Sequence, residues 1–193
     1  MPTPMERAVA LNRDNTSATL PFRPPLLPLL DRLHCSSWET ELRTSASAWE
    51  VKQATPDLWH MLPLSMGIYM FVWRPPIGFH KAASNSSEEF GWVLYIGKTG
   101  GGASKNNFKL RYRYEYAKYL KGDPAEIFNK QAVSRREDMF RRYLLLQPLE
   151  FWWAEVHDAE HISKLEKELI RTFAPPLNVQ HATLTRSQTR SAF

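Results

Sequence analysis

Three short, nearly all-apolar runs set among helical patterns most constrain what this chain can fold into. Met66 to Trp73 and Trp92 to Ile96 are rich in aromatic and β-branched residues and too short for buried helices, so they read as strands covered on both faces. Leu149 to Val156 reads as a third strand. Gly100, Gly101 and Gly102 lead into a helical pattern from near Ser104 to Leu120, stopped by Gly122 and Pro124. Asp123 with Glu126, and Ser134 with Glu137, have capping-box spacing and start two more helices, the second ended by Pro148. Asp158 is the expected N-cap of a helix from Ala159 to Phe173. This order predicts an α+β fold: a small three-stranded mixed sheet flanked by helices, a β-β-α-β-α core with a helical N-terminal extension.

The extension covers residues 1–60, with helices expected at Leu26 to Leu33 and Glu39 to Lys52; residues 61–180 form the main domain and 181–193 a polar tail. Residues 1–24 and the tail are expected to be poorly ordered. Arg74 to Gly91 is longer than an ordinary hairpin loop and reads as an inserted segment. With a single cysteine, Cys35, the chain can form no internal disulfide, thiolate zinc cluster or iron-sulfur site, which points to a reducing compartment, the cytoplasm. No apolar run approaches the length of a membrane span, and the N-terminus lacks the apolar stretch of a signal peptide, so no membrane association is expected.

The formal net charge of +5 is unevenly spread. Residues 103–145 hold 11 Lys and Arg against 5 Asp and Glu, whereas the remaining blocks nearly balance. There, Lys105, Lys109, Arg111, Arg113, Lys118 and Lys121 interleave with Tyr112, Tyr114, Tyr116 and Tyr119. Such a pattern suits phosphate contact with aromatic packing behind it, but on charge alone it reads as an ordinary solvated helix face unless another feature demands a polyanion.

In the last helix Ile162, Leu165, Leu169 and Phe173 form one stripe, and Glu166 falls inside it, about 40° from Ile162. A carboxylate among apolar neighbours costs several kcal/mol unless a cation, a metal or a hydrogen-bond network compensates it. Glu166 is therefore either a ligand or a rim residue that reaches solvent or pairs with an arginine. Tyr69 and Tyr95 each carry a hydroxyl within an apolar strand and need a partner if buried.

Gly67-Ile68-Tyr69, Tyr95-Ile96-Gly97-Lys98-Thr99, Phe108-Lys109-Leu110-Arg111, Leu165 to Ile170 and Pro175-Pro176-Leu177-Asn178 occur in that order, on strand, strand, helix, helix and terminal loop. Together they resemble the GIY-YIG nuclease family over residues 61–180. The insertions at 74–91 and 123–147 resemble those of stand-alone, restriction-like or phage-defence-like members. The resemblance implies a metal-dependent endonuclease that hydrolyses DNA phosphodiester bonds. It implies Glu166 as the ligand of Mg²⁺, for which Mn²⁺ could substitute, and Arg111 as the group that stabilises the phosphate. Tyr69 or Tyr95 would take the proton of the attacking water, and Asn178 would orient by hydrogen bonding. Lys98 would lie near the reacting phosphate, and Lys105, Lys109, Arg113 and Lys118 would contact DNA.

Periodicity alone does not separate Arg111 from Arg113, which flank the inner stripe of Phe108, Tyr112, Tyr116 and Tyr119 almost symmetrically. Where family members often carry His or Tyr, this chain has Glu115, spaced for an i,i+4 pair with Arg111. Gly97-Lys98-Thr99 is not the end of a phosphate-binding loop, because the preceding residues read as strand and Trp92 stands where glycine is needed. His157 and His161 lack a third zinc ligand and read as a surface pair. The alternatives to an enzyme are a non-catalytic nucleic-acid-binding module on the same scaffold and a structural or partner-binding protein. A homodimer would suit symmetric double-strand cleavage.

Overall fold

The computed structural model describes residues 40, 42–75, 78–80, 87–89, 91–101, 106–123 and 136–178. The helices expected at Leu26 to Leu33 and from Asp123, the Ser134 cap, the Ser104 helix start, Lys105 and the polar tail lie outside them.

The fold is α+β, and its main sheet has four strands rather than three. Strand β1 is Glu50–Gln53, β2 Gly67–Trp73, β5 Trp92–Thr99 and β6 Leu149–Glu155, in the order β1-β6-β2-β5. Every pairing is antiparallel, so the expected mixed sheet is corrected as well. Strand β1 was hidden because its four residues, EVKQ, are all exposed and carry no apolar alternation. The helix expected to run through Lys52 is helical at residues 40 and 42–45 only, and Ala46 already bridges Val156. Leu42, Ala54 and Leu58 are buried, so the packed unit reaches back into the expected extension. Within the inserted segment, β3 (Gly78–His80) pairs with β4 (Ser87–Glu89).

Central β2 is covered on both faces, as its apolar run requires. Tyr69 and Phe71 pack into a cluster with Phe108, Tyr112, Tyr116, Phe140 and Phe151, while Ile68, Met70 and Val72 face Ile162, Leu165 and Leu169. Three of these partners, Phe108, Tyr112 and Tyr116, come from the helical segment that opens with α1, Phe108–Arg111, after its cap Asn107. The Asn107 side chain accepts from Leu110 N–H at 2.9 Å, and Phe108 and Lys109 N–H donate to Ser65 and Pro63 carbonyls. These bonds satisfy the open donors of the first turn. The backbone continues as a π turn over Tyr112–Tyr116, with Ala117 N–H bonded to Tyr112 C=O at 2.9 Å, then a 3-10 turn at Tyr119–Lys121. The wider turn offsets the drift of an α pitch and keeps Tyr112 and Tyr116 both inward, at 0% and 3% exposure.

Helix α2 is Arg136–Leu144, and α3 is Ala159–Phe173 with Asp158 accepting from Glu160 N–H at 2.9 Å, as the sequence predicts. Among the described residues no helix is long and apolar enough to cross a membrane.

The chain after α3 closes the free edge of β5. Leu177 N–H donates to Leu94 C=O, and the Asn178 side chain accepts from Ile96 N–H at 2.8 Å and donates to Ile96 C=O at 2.7 Å. One amide thus replaces a strand partner at an edge where unpaired backbone groups are a liability. Asn178→Ala is expected to lower stability by about 2 kcal/mol, read as a fall in urea midpoint at unchanged slope. Asn178→Asp, which keeps the acceptor and loses the donor, should lose nearly as much; an unchanged midpoint would contradict this role.

Candidate active site

The two tripeptides of the resemblance meet across one strand pair. Tyr69 on β2 lies opposite Gly97 on β5, and Gly67 lies opposite Thr99. A Cβ at Gly97 would overlap the Tyr69 hydroxyl and ring, and one at Gly67 would overlap the Ala154 carbonyl. The tyrosine of the first tripeptide therefore fills the space that the glycine of the second leaves open. Residues 92–99 are strand throughout, which removes any phosphate-cradling loop at Gly97-Lys98-Thr99.

Tyr69 is fully buried, and its hydroxyl is 2.6 Å from that of Tyr116 and accepts from Arg111 Nε at 3.3 Å. A guanidinium can only donate, so the Tyr69 oxygen accepts from it, and either phenol can donate in the Tyr69–Tyr116 bond. Tyr95 lies beside this pair, its ring centre 6.2 Å from that of Tyr69 and 5.9 Å from that of Tyr116, and is 6% exposed. Arg111 also holds Glu115 at 2.6 Å, the i,i+4 pair that the spacing suggests. The structure separates the two arginines that periodicity left equivalent: Arg111 turns to Tyr69, while Arg113 lies over the Trp59 ring.

Burial pushes the Tyr69 hydroxyl well above the ordinary phenol range, reinforced by Tyr95; Arg111 and the Tyr116 bond pull the other way without offsetting it. Tyr116 is raised for the same first reason. Removal from water thus outweighs the nearby Arg111 cation at Tyr69. Tyr69 bonds the Arg111 guanidinium and holds it. Tyr116 was not singled out from sequence; its place on the inner stripe marked it as core but not as the partner of Tyr69.

The remaining charged pair lies on the other side of β5. Lys98, opposite Ile68, extends toward α3, where its Nζ is 3.1 Å from Glu166 Oε2 and donates to Ser163 Oγ at 2.8 Å. The Glu166 side chain is 18% exposed and that of Lys98 34%. The carboxylate inside the apolar stripe is thus compensated by a cation, a lysine from the sheet rather than an arginine.

Tyr69, Tyr95 and Arg111 come together on one face of the β2–β5 pair, Lys98 and Glu166 come together on the other, and Asn178 binds the β5 backbone between them. No model of a known family, no curated protein and no solved structure matches the chain. The site is therefore read from its own atoms.

A hard cation such as Mg²⁺ binds through one or two carboxylates and completes its shell with water and phosphate. One partly exposed carboxylate, Glu166, fits that donor set, and among the described residues no cluster of three or more His, Cys, Asp or Glu offers an all-protein cage. His161 is instead paired with Asp158 at 2.6 Å on the surface. Of the cations expected to contact DNA, Lys109 and Arg113 gather at Trp59, and Lys118 is 3.9 Å from Glu137.

Gly97→Ala should force the Tyr69 ring off its place and cost about 3 kcal/mol or more, the range reserved for core overpacking and broken buried networks. The checks are thermal unfolding and the tyrosine region of the near-ultraviolet circular dichroism. A variant as stable as wild type with unchanged signal would show that the two tripeptides do not depend on each other.

Proposed function

We propose that this chain is a metal-dependent endonuclease of the GIY-YIG type that hydrolyses DNA phosphodiester bonds. The observation that carries this reading is Arg111. It is a half-buried guanidinium held by the Tyr69 hydroxyl of β2, while the Glu166 carboxylate of α3 lies on the opposite face of the neighbouring edge strand β5. A core needs neither group there, whereas phosphoryl transfer needs a cation for the phosphate oxygens and an oxygen ligand for a divalent ion.

In this reading Arg111 binds the phosphate and stabilises the charge that develops on it. Tyr69 and Tyr116 fix the guanidinium. Tyr95 removes the proton from the attacking water, since unlike Tyr69 it retains some solvent contact. Lys98 moves from carboxylate to phosphate when the polyanion binds. Glu166 would hold Mg²⁺, which supplies charge neutralisation at the phosphate and leaving oxygen. Asn178 acts through the backbone of β5, so it is a positioning residue and not a catalytic one.

A second reading, a non-catalytic nucleic-acid-binding module on this scaffold, draws on two contacts: Glu166 is neutralised by Lys98, and Arg111 by Glu115. Plasmid nicking separates the two. Wild type is expected to nick in Mg²⁺ and to stop in EDTA. Glu166→Ala should keep its fold and its salt-dependent DNA affinity while cleavage falls by about three orders of magnitude. Tyr95→Phe should lose more activity than Tyr69→Phe, which weakens the support of Arg111 but removes no proton acceptor. Cleavage retained by the Glu166 variant would remove the enzyme reading, and DNA binding without cleavage by wild type would favour the binding module.

A further inference from the structure

The helix that carries Arg111 leaves one of its tyrosines outside. Tyr112, Tyr116 and Tyr119 are 0%, 3% and 9% exposed, but Tyr114 is 65% exposed. It caps a ladder of planar groups: the His60 ring stacks on Trp59 at 3.5 Å, the Arg113 guanidinium lies 4.4 Å from the Trp59 ring centre, and the same guanidinium is 5.4 Å from that of Tyr114. Lys109 lies 6.0 Å from Trp59, which adds a second cation to the ladder. Packing of cations on rings stabilises a surface. That accounts for Trp59 and leaves the exposed phenol ring of Tyr114 unexplained.

We propose that Tyr114, with Arg113 behind it and Lys109 nearby, is a stacking platform for an unpaired nucleobase, and that the chain engages DNA with a single-stranded segment. The inference rests on the nuclease reading and narrows its substrate. Each base in a duplex already has neighbours on both faces, so an exposed ring on a protein surface gains a stacking partner only where the base is unpaired. The Arg113 guanidinium at the ring and Lys109 beyond it at Trp59 complement the phosphates of the strand and disfavour an apolar protein partner. Tyr114 follows Arg111 by three positions on the same helical segment, with Arg111 turned to Tyr69 and Tyr114 to solvent.

Fluorescence anisotropy in EDTA, with a labelled oligothymidylate and a duplex of equal length, tests this without cleavage. Tyr114→Ala is expected to weaken oligothymidylate binding about tenfold while duplex affinity changes less than about twofold, and Tyr114→Phe should restore the single-strand affinity. Unchanged oligothymidylate affinity in Tyr114→Ala, an equal loss on both DNAs, or failure of Tyr114→Phe to restore binding would overturn the platform. Wild type that binds duplex alone would overturn it while leaving the nuclease reading standing. Wild type that binds neither DNA would remove both.

Discussion

The approach of the Tyr69 ring to Gly97 governs this molecule. Two strands can bring an aromatic ring against a neighbouring backbone only where the opposite residue has no side chain, and β5 supplies that gap at one position. From it follows the burial of the Tyr69 hydroxyl, and from the burial its need for partners. An unpaired hydroxyl in the core costs about 1–3 kcal/mol, and Tyr116 and Arg111 meet that need. The guanidinium is therefore drawn to the sheet by a core requirement, and its placement persists whether or not a substrate is present. A surface arginine has no such anchor.

Strand β5 is the element on which both halves of the candidate site converge. Alternation along the strand sends Tyr95 toward the aromatic cluster and Lys98 toward α3. As an edge strand it would be free to slip or to recruit another strand. Asn178 removes that freedom by occupying both backbone groups of Ile96, the residue between Tyr95 and Gly97. The terminal Asn of the motif thus has a structural use independent of any contact with substrate. Register, glycine gap and edge closure all act on the same three residues.

How much could be read from the sequence depended on whether a local rule faced competition. Helix α3 was legible to the residue at its start because Asp158 and the apolar period agree. Strands β2 and β6 were legible from their composition. Strand β1 was not, because an exposed edge strand of mixed polar residues leaves no period, and its pairing with β6 is decided by the partner. The inward position of Glu166 was legible from helical phase, but its compensating cation came from a distant strand and no local pattern could name it. The choice of Arg111 over Arg113 required tertiary contact. So did the status of Tyr69, whose burial outweighs the adjacent guanidinium.

The balance at Glu166 bears on how such a site could exist before substrate arrives. A carboxylate in an apolar stripe needs a countercharge at all times, or the helix that carries it is destabilised. Lys98 supplies one that is only partly desolvated, with about a third of its side chain exposed, and pairs at that exposure contribute roughly 0–1 kcal/mol net. Exchange of partners is therefore inexpensive. A flexible ammonium with three donors can transfer to a phosphate and be replaced at Glu166 by another cation, whereas an arginine locked in bidentate geometry would resist the exchange. On the opposite face the proposed chemistry would make a different demand, because Arg111 would have to stay fixed while charge builds on a phosphate, and the buried tyrosine hydroxyl holds it. Under the nuclease reading the lysine would serve where exchange is needed and the arginine where position is needed, a division of labour that phosphoryl chemistry would require of one edge strand and two flanking helices.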